Sequence, residues 1–324
     1  MYKPVLFEKD ISSLPKPFRL NQKNYVLWKT KDGLYSMLDK CPHRAAKLSG
    51  GKVVGNTIEC PYHGWRFDKH GICKRIPQLD STKPIPNVCN IATLPVNVVD
   101  GIVWIGENDV VDDSVNMKFT KDSNCLVSNF YLEAPYSYYL QIENLLDPAH
   151  VHFVHDGFQG NRSKASTIVV KEMYENDTKL YGYFEHKSDT PDIEISFIKP
   201  YVVDISIRDK KSKKIMRKNV IYVSSIDRVS CNVLFRDIAF KDIIIPQDPF
   251  LKFHGELLLQ GFSQNYQSLN TRIIDSIMEQ DIQVLKGQQE NIPSYLEEKY
   301  ILPAECDVLI SAFRKWCKNN VICV

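Results

Sequence analysis

Two short stretches, "CPH" and "CPYH", set Cys41 one residue from His43 and Cys60 two residues from His63. Thiolate and imidazole both bind metals, and each pair sits on a turn that begins with proline, Pro42 or Pro61. Two loops that each offer one sulfur and one nitrogen suit a two-iron, two-sulfide cluster with unlike irons. One iron takes both thiolates and the other both imidazoles, which raises the potential to about −150 to +300 mV. Gly50, Gly51 and Gly64 let backbone come close to such a cluster and aim amides at its sulfurs. A structural zinc site uses the same four donors, but zinc fingers pair Cys with Cys and His with His. Four unrelated residues in a β domain are the bland alternative.

A second cluster of donors lies in "YYLQIENLLDPAHVHFVHDG", with Asp147, His150, His152 and His155. Asp147 and His150 are three apart, neighbours on one helical face. His150 and His155 are five apart, roughly 140° round a regular helix. They share a metal only if the helix bends or ends between them, and Gly157 supplies an ending; His152 points away from His150. Two His and one carboxylate on one face of an iron leave open positions for O₂. The carboxylate is expected from "NTRIIDSIMEQDIQVLKGQQE", whose apolar stripe runs Ile274, Ile277, Met278 and Leu285. Asp281 falls on that stripe, while Asp275 and Glu279 lie off it. A carboxylate on a buried face needs a partner, and a metal, a buried salt bridge or a cap would each serve. A His-rich helix end can equally be polar surface.

These residues need elements to position them. Residues 1–107 are short alternating or apolar runs broken by turn residues, the pattern of a small all-β domain. A polar stretch follows, and 108–128 is read as a linker. Residues 129–324 form a second domain. A helix runs from "YYLQIENLL" to "HVHFVH" and ends at Gly157. Strand-like runs fill 166–260, ending with "FHGELLLQGF", and two helices close the chain, at 266–289 and 303–318. That is an α+β arrangement, an antiparallel sheet with helices packed on it.

The 324 residues suffice for two domains. Hydrophobic residues make up 44% and charged residues 25%, ordinary for a globular protein. The net charge of +2 gives no case for nucleic acid as a partner. No apolar run approaches the roughly 18 residues that span a bilayer, and the start does not read as a signal or transit peptide. Nine cysteines, odd in number and irregular in spacing, argue for a reducing compartment, here the cytoplasm. Asn161 and Asn176 match glycosylation acceptors, which such a compartment leaves unmodified.

"CPHRAAKLSGGKV", "IECPYHGWRFD" and "ENLLDPAHVHFVH", in this order, resemble the α subunit of Rieske non-haem iron oxygenases over nearly the whole chain. Within that family "KRIPQL" (Lys74–Leu79) and "GNR" (Gly160–Arg162) are most similar to the branch of pheophorbide a and chlorophyllide a oxygenases. The resemblance implies a Rieske domain followed by a helix-grip-type catalytic domain. It implies a 2Fe–2S cluster on Cys41, His43, Cys60 and His63, and a mononuclear Fe(II) on His150, His155 and Asp281. Asp147 is similar to the bridging Asp that links an iron-ligand His to a cluster His of the neighbouring subunit, here His150 and His63, so a homotrimer is expected. Asn144 matches a position near the iron. Ala46 and Tyr62 stand where respiratory Rieske domains carry a disulfide. The chain departs from the plant members at its end, where Cys317 and Cys323 are six apart on an amphipathic helix, so the resemblance leaves membrane attachment, thiol control and a tetrapyrrole substrate open.

The implied activity uses O₂ and two externally supplied electrons to hydroxylate, demethylate or open an organic ring, a tetrapyrrole or a small aromatic or alicyclic compound. A non-catalytic Rieske electron-transfer or redox-responsive protein is the alternative. No G-x-G-x-x-G loop follows a strand, so a ferredoxin and/or flavin reductase is the expected electron donor. Lys69, Lys74 and Arg75 suit an acidic ferredoxin, or are simply a solvated charged face. Phe153, Phe158 and Tyr183 either line the substrate pocket or belong to the core.

Overall fold

Period-two burial is plainest in the strand Lys179–His186. In "KLYGYFEH" Leu180, Gly182, Phe184 and His186 are buried while the residues between them are half-exposed, the alternation a pleated strand imposes. The computed structural model describes residues 1–106, 125–240, 263–292 and 294–320, with 263–271 as helical backbone alone. It divides into two compact units, Met1–Phe119 and Thr120–Cys323. The expected linker 108–128 lies largely outside the described residues, as do the strand expected at 253–262 and Cys323.

The first unit is all β among the described residues, apart from single 3-10 turns. β1 (Tyr2–Phe7), β10 (Val96–Val99) and β11 (Ile102–Gly106) form one antiparallel sheet, in the order β1-β11-β10. A second sheet runs β2 (Lys16–Leu20), β3 (Lys23–Thr30), β4 (Gly33–Leu38), β9 (Thr93–Leu94). The third holds β5 (Lys52–Val54), β6 (Thr57–Glu59), β7 (Arg66–Phe67) and β8 (Cys73–Arg75), paired in sequence order. Both candidate ligand loops spring from this third sheet: Cys41–His43 leads into β5, and Cys60–His63 joins β6 to β7. Their cysteines belong to the core itself, packed with Val26, Trp28, Met37, Leu48, Ile58, Trp65 and Phe67.

The second unit is a seven-stranded antiparallel sheet with helices. Its strands are β12 (Cys125–Ala134), β13 (Ile168–Glu175), β14 (Lys179–His186), β15 (Asp192–Ile198), β16 (Val202–Arg208), β17 (Ile215–Asp227) and β18 (Ser230–Phe240). β13 to β18 form a meander, and β12 pairs with β18 at the far edge. Between β12 and β13 lie α1 (Tyr138–Leu146) and α2 (Val151–Val154); α3 (Ser263–Asn291) and α4 (Val308–Asn319) follow the sheet. The α3 helix packs against β12, α1 against β16 to β18, and α4 against β14. On α3 the buried residues are Ile274, Ile277, Met278, Asp281 and Leu285, the stripe read from the sequence. The α+β architecture is as expected, with the helix-grip arrangement of a long helix against an antiparallel sheet.

Three local readings need correction. The helix expected through to Gly157 is broken, because Pro148 excludes the helical conformation for the residue before it; α1 ends on Asp147 at φ −94°, ψ 106°. Residues 125–134, assigned to linker and helix approach, are the strand β12, in which burial does not follow hydrophobicity: Ser128 is buried and Val127 exposed. The last helix starts at Val308, since Pro303 delays it and Asp307 turns back to accept from the Ala304 amide at 3.1 Å.

Candidate metal centres

The two loops of the first unit fold alike. The Cys41 amide donates to Ala46 O at 2.9 Å, and the Cys60 amide to Trp65 O at 2.8 Å. Each cysteine carbonyl accepts from the residue four later, Ala45 at 2.8 Å and Gly64 at 3.1 Å. Those two residues both take left-handed backbone, Ala45 at φ 58° and Gly64 at φ 72°. Each loop thereby turns its cysteine into the core and its histidine outward: both cysteines are buried, His63 is half-buried and His43 exposed. The two imidazoles meet edge to face with centroids 4.5 Å apart, and His43 stacks on Trp65 at 4.7 Å.

Groups around the loops fix them. Both oxygens of the buried Asp39 accept from Ser49, amide and hydroxyl, at 2.7 Å. Gln78 Nε2 donates to His63 O at 3.0 Å. Gly51 is required by close approach, since a Cβ there would stand 2.0 Å from Glu59 O.

The donor set fits an iron–sulfur cluster. Burial, with the Cys60 thiol beside it, pushes the Cys41 thiol up to about 11. Two neighbouring buried thiols become thiolates at neutral pH only with a cation between them. His63 is shifted the other way: partial desolvation and the nearby His43 and Arg44 lower it, favouring the neutral imidazole a metal needs.

In the second unit the broken helix brings His150 and His155 together. His150 caps the start of α2 and His155 its end, and Gly157 turns the chain away at φ 82°. Gly160 seals the turn from behind: its amide donates to His155 O at 3.0 Å, and a Cβ there would stand 2.2 Å from Val151 O. The two imidazoles lie 5.3 Å apart, and α3 brings Asp281 to them. Ligand atoms of His150, His155 and Asp281 all lie within 4.8 Å of one another, the one such group among the described residues.

Asp281 and His155 are buried. Asp281 Oδ1 stands 3.2 Å from His155 Nε2 yet has no hydrogen-bond partner. The carboxylate oxygen and the imidazole nitrogen lie close enough to share one cation with His150. Burial pulls the His155 imidazole down, but the Asp281 carboxylate and the Gln280 amide outweigh it and hold the group above its usual range. The site therefore attracts positive charge, which a divalent iron supplies.

Within the chain, Asp147 acts through its main chain and its side chain separately. Its main-chain oxygen accepts from His150 Nδ1 at 2.7 Å, while its carboxylate stands 3.8 Å from that nitrogen and caps the Ala149 amide at 2.7 Å. Asn144 lies one turn earlier on α1, half-buried, and its main-chain oxygen accepts from the Asp147 amide at 3.3 Å. His152 turns away from His150, as the spacing predicts, and packs against His186. Phe153 and Phe158 are exposed, so neither is core, and Tyr183 donates to Asp192 at 2.9 Å. Lys69, Lys74 and Arg75 are exposed. Sequence reasoning missed Gln78 and Gln280. Only the first carries a sequence signal, its place in the "KRIPQL" motif.

Fold and donor sets together define a class, and sequence comparison agrees. Residues 2–95 match the Rieske [2Fe-2S] domain, and residues 133–200 the vanillate O-demethylase oxygenase C-terminal domain. In both parts the chain resembles the Rieske oxygenases. Within them it resembles the plant branch: it is 28% identical to pheophorbide a oxygenase of Oryza sativa subsp. japonica over 98% of this chain and 64% of that one. It is 27% identical to the chloroplastic protein TIC 55 of Pisum sativum, over 97% of this chain and 56% of that one. It thus spans less than two thirds of the length of either relative. Dicamba monooxygenase bound to dicamba shares the fold, with a TM-score of 0.75 at 20% identity over 98% of this chain and 96% of that one. Among the described residues no helix is long and apolar enough to cross a membrane.

Proposed function

We propose that the chain is an oxygenase that uses O₂ and two externally supplied electrons to oxygenate a cyclic organic substrate. The observation that carries this reading is the convergence of His150, His155 and buried Asp281, in the same chain as the paired loops of Cys41, His43, Cys60 and His63. The cluster relays single electrons, and an iron with open positions supplies O₂ chemistry when bound. The protein's share is positioning. Both iron-ligand imidazoles carry their Nδ1 protons on carbonyl oxygens, leaving Nε2 free to coordinate. Gly160 and Gly157 hold the turn that sets the two rings side by side.

The relatives' names support a cyclic substrate, since pheophorbide a and dicamba are both ring compounds. Hydroxylation, demethylation and ring opening all follow from where a substrate sits beside the iron. The electron donor is a ferredoxin and/or flavin reductase, docking on Lys69, Lys74 and Arg75, which are exposed beyond the second cluster loop. The active unit is a homotrimer in which Asp147, half-exposed beside His150, bridges to His63 of the next chain. The free, mostly buried thiols suit a reducing compartment, and we place the protein in the cytoplasm.

Anaerobic purification with iron and acid-labile sulfide analysis tests this reading. About three irons and two sulfides per chain are expected. His150→Ala should remove one iron only, and with it oxygen uptake coupled to reduced ferredoxin and a cyclic substrate. A wild-type chain that stays at about two irons and two sulfides after Fe(II) reconstitution would leave an electron carrier and overturn the oxygenase reading.

A further inference from the structure

We infer that Gln280 is a positioning residue that fixes the tautomer and ring orientation of His155, so that α3 grips this imidazole from both of its nitrogens. The inference rests on the iron-binding reading above. His155 Nδ1 lies 3.0 Å from Gln280 Oε1, and His155 Nε2 lies 3.2 Å from Asp281 Oδ1.

An amide oxygen can only accept a hydrogen bond. The Nδ1 nitrogen must therefore carry a proton, and when a cation sits between Nε2 and Asp281 it is the Nε2 lone pair that is left to bind it. Were the proton on Nε2 alone, Nδ1 and the amide oxygen would oppose each other as two acceptors at 3.0 Å. The ring is buried, so no water can take over the task.

The two grips come from consecutive residues. Successive helix positions point about 100° apart, so Gln280 and Asp281 cannot face one atom. They can reach the two ends of one ring that lies across the helix, and they do. Rotation of the imidazole about its bond to Cβ breaks both contacts together.

His150 shows the contrast. Its Nδ1 proton rests on the main-chain oxygen of Asp147 at 2.7 Å, a bond any residue at 147 would provide. Of the two imidazoles, His155 is the one held through a side chain, and so the one whose orientation a substitution can release. Gln280 is also neutral. A carboxylate at this point would add negative charge to a site that already has Asp281, whereas the amide orients the ring and leaves the charge of the ligand set unchanged.

The test compares Gln280→Leu and Gln280→Glu with wild type in the full-length protein, with the cluster intact as judged by its visible spectrum. Fe(II) affinity is measured against a competing chelator. Ring orientation is read from the electron paramagnetic resonance signal of the nitric oxide adduct of the bound Fe(II). Losing the oxygen acceptor should weaken Fe(II) binding by about 10–100-fold and broaden that signal. Gln280→Glu keeps an acceptor and should bind Fe(II) within a few-fold of wild type, with a single sharp signal. A Leu variant that binds Fe(II) as tightly as wild type with an unchanged signal would overturn the inference while the oxygenase reading stands. Equal weakening in the Leu and Glu variants would overturn it too, as a packing effect. A wild-type protein that keeps its cluster yet takes up no Fe(II) would overturn both.

Discussion

The carboxylate of Glu143 on α1 accepts from the guanidinium of Arg314 on α4 at 2.9 Å, 171 residues later in the chain. Tyr295 donates to the same oxygen at 2.5 Å, and the guanidinium lies over the rings of Tyr295 and Tyr300, at 4.5 and 3.9 Å. Both charged side chains are buried. The closing helix is thereby anchored to the helix that carries Asn144 and leads into the iron-ligand turn.

Arg314→Ala should consequently cost about 3–5 kcal/mol, because it strands a buried carboxylate without its cation. Glu143→Gln keeps an oxygen acceptor for Tyr295 and Arg314 and should cost less. Urea unfolding of the two variants, followed by near-ultraviolet circular dichroism, checks the order. Equal losses would mean that the ion pair does not dominate the network.

The matched cluster loops give a second expectation. Ala45 and Gly64 occupy equivalent places with left-handed backbone, and only one of them is glycine. A side chain in that conformation costs about 1–2 kcal/mol. Ala45→Gly should relieve part of it and slow the loss of the cluster's visible absorption in denaturant. Gly64→Ala should do the reverse, the more so because its Cβ would stand 3.2 Å from Pro77 Cγ. Bleaching rates in urea measure both.

A third expectation concerns acid. His186 is buried, and neither of its ring nitrogens has a hydrogen-bond partner. Burial, with His152 and Lys210 nearby, lowers it to about 4, although Asp192 works the other way. Above its ordinary value near 6.5, folded and unfolded chains alike carry it neutral. Below that pH the unfolded chain takes up a proton that the folded chain refuses, so stability falls as pH drops from about 6.5 and levels off near 4. The loss amounts to roughly 3 kcal/mol. His186→Leu should flatten that slope in denaturant titrations between pH 4 and 7; an unchanged slope would assign the acid sensitivity to other groups.

How much of this was legible in the sequence varies with the physics of each element. The cluster loops were, because Cys-Pro-His and Cys-Pro-Tyr-His carry the donors and the turn together within one short stretch. The buried stripe of α3 was too, since a period of 3.6 marks Asp281 as inward-facing beside Ile274 and Met278. Strand β12 was not, because its burial does not alternate with hydrophobicity, Ser128 being buried and Val127 exposed, and its pairing partner β18 lies far along the chain. Gln280 was invisible for a related reason: nothing local separates a glutamine that reaches a histidine 125 residues earlier from one that points into water. Pro148 is itself a helix stop that the sequence carries. The break it causes is what allows His150 and His155 to meet.

The pairing of β12 with β18 also sets a schedule for biosynthesis. The Cys41–His63 donors are close neighbours in sequence, so a nascent chain can complete that site early. His150 and His155 emerge soon afterwards. The sheet edge beside them closes only when β18 has been made, and the third ligand arrives later still with α3. Contacts of such long sequence separation form slowly. For the whole of that interval the growing polypeptide carries the two imidazoles without the carboxylate that faces them in the folded unit. The His150–His155 pair therefore waits for α3, whereas the Cys41–His63 loops are made before the large sheet begins.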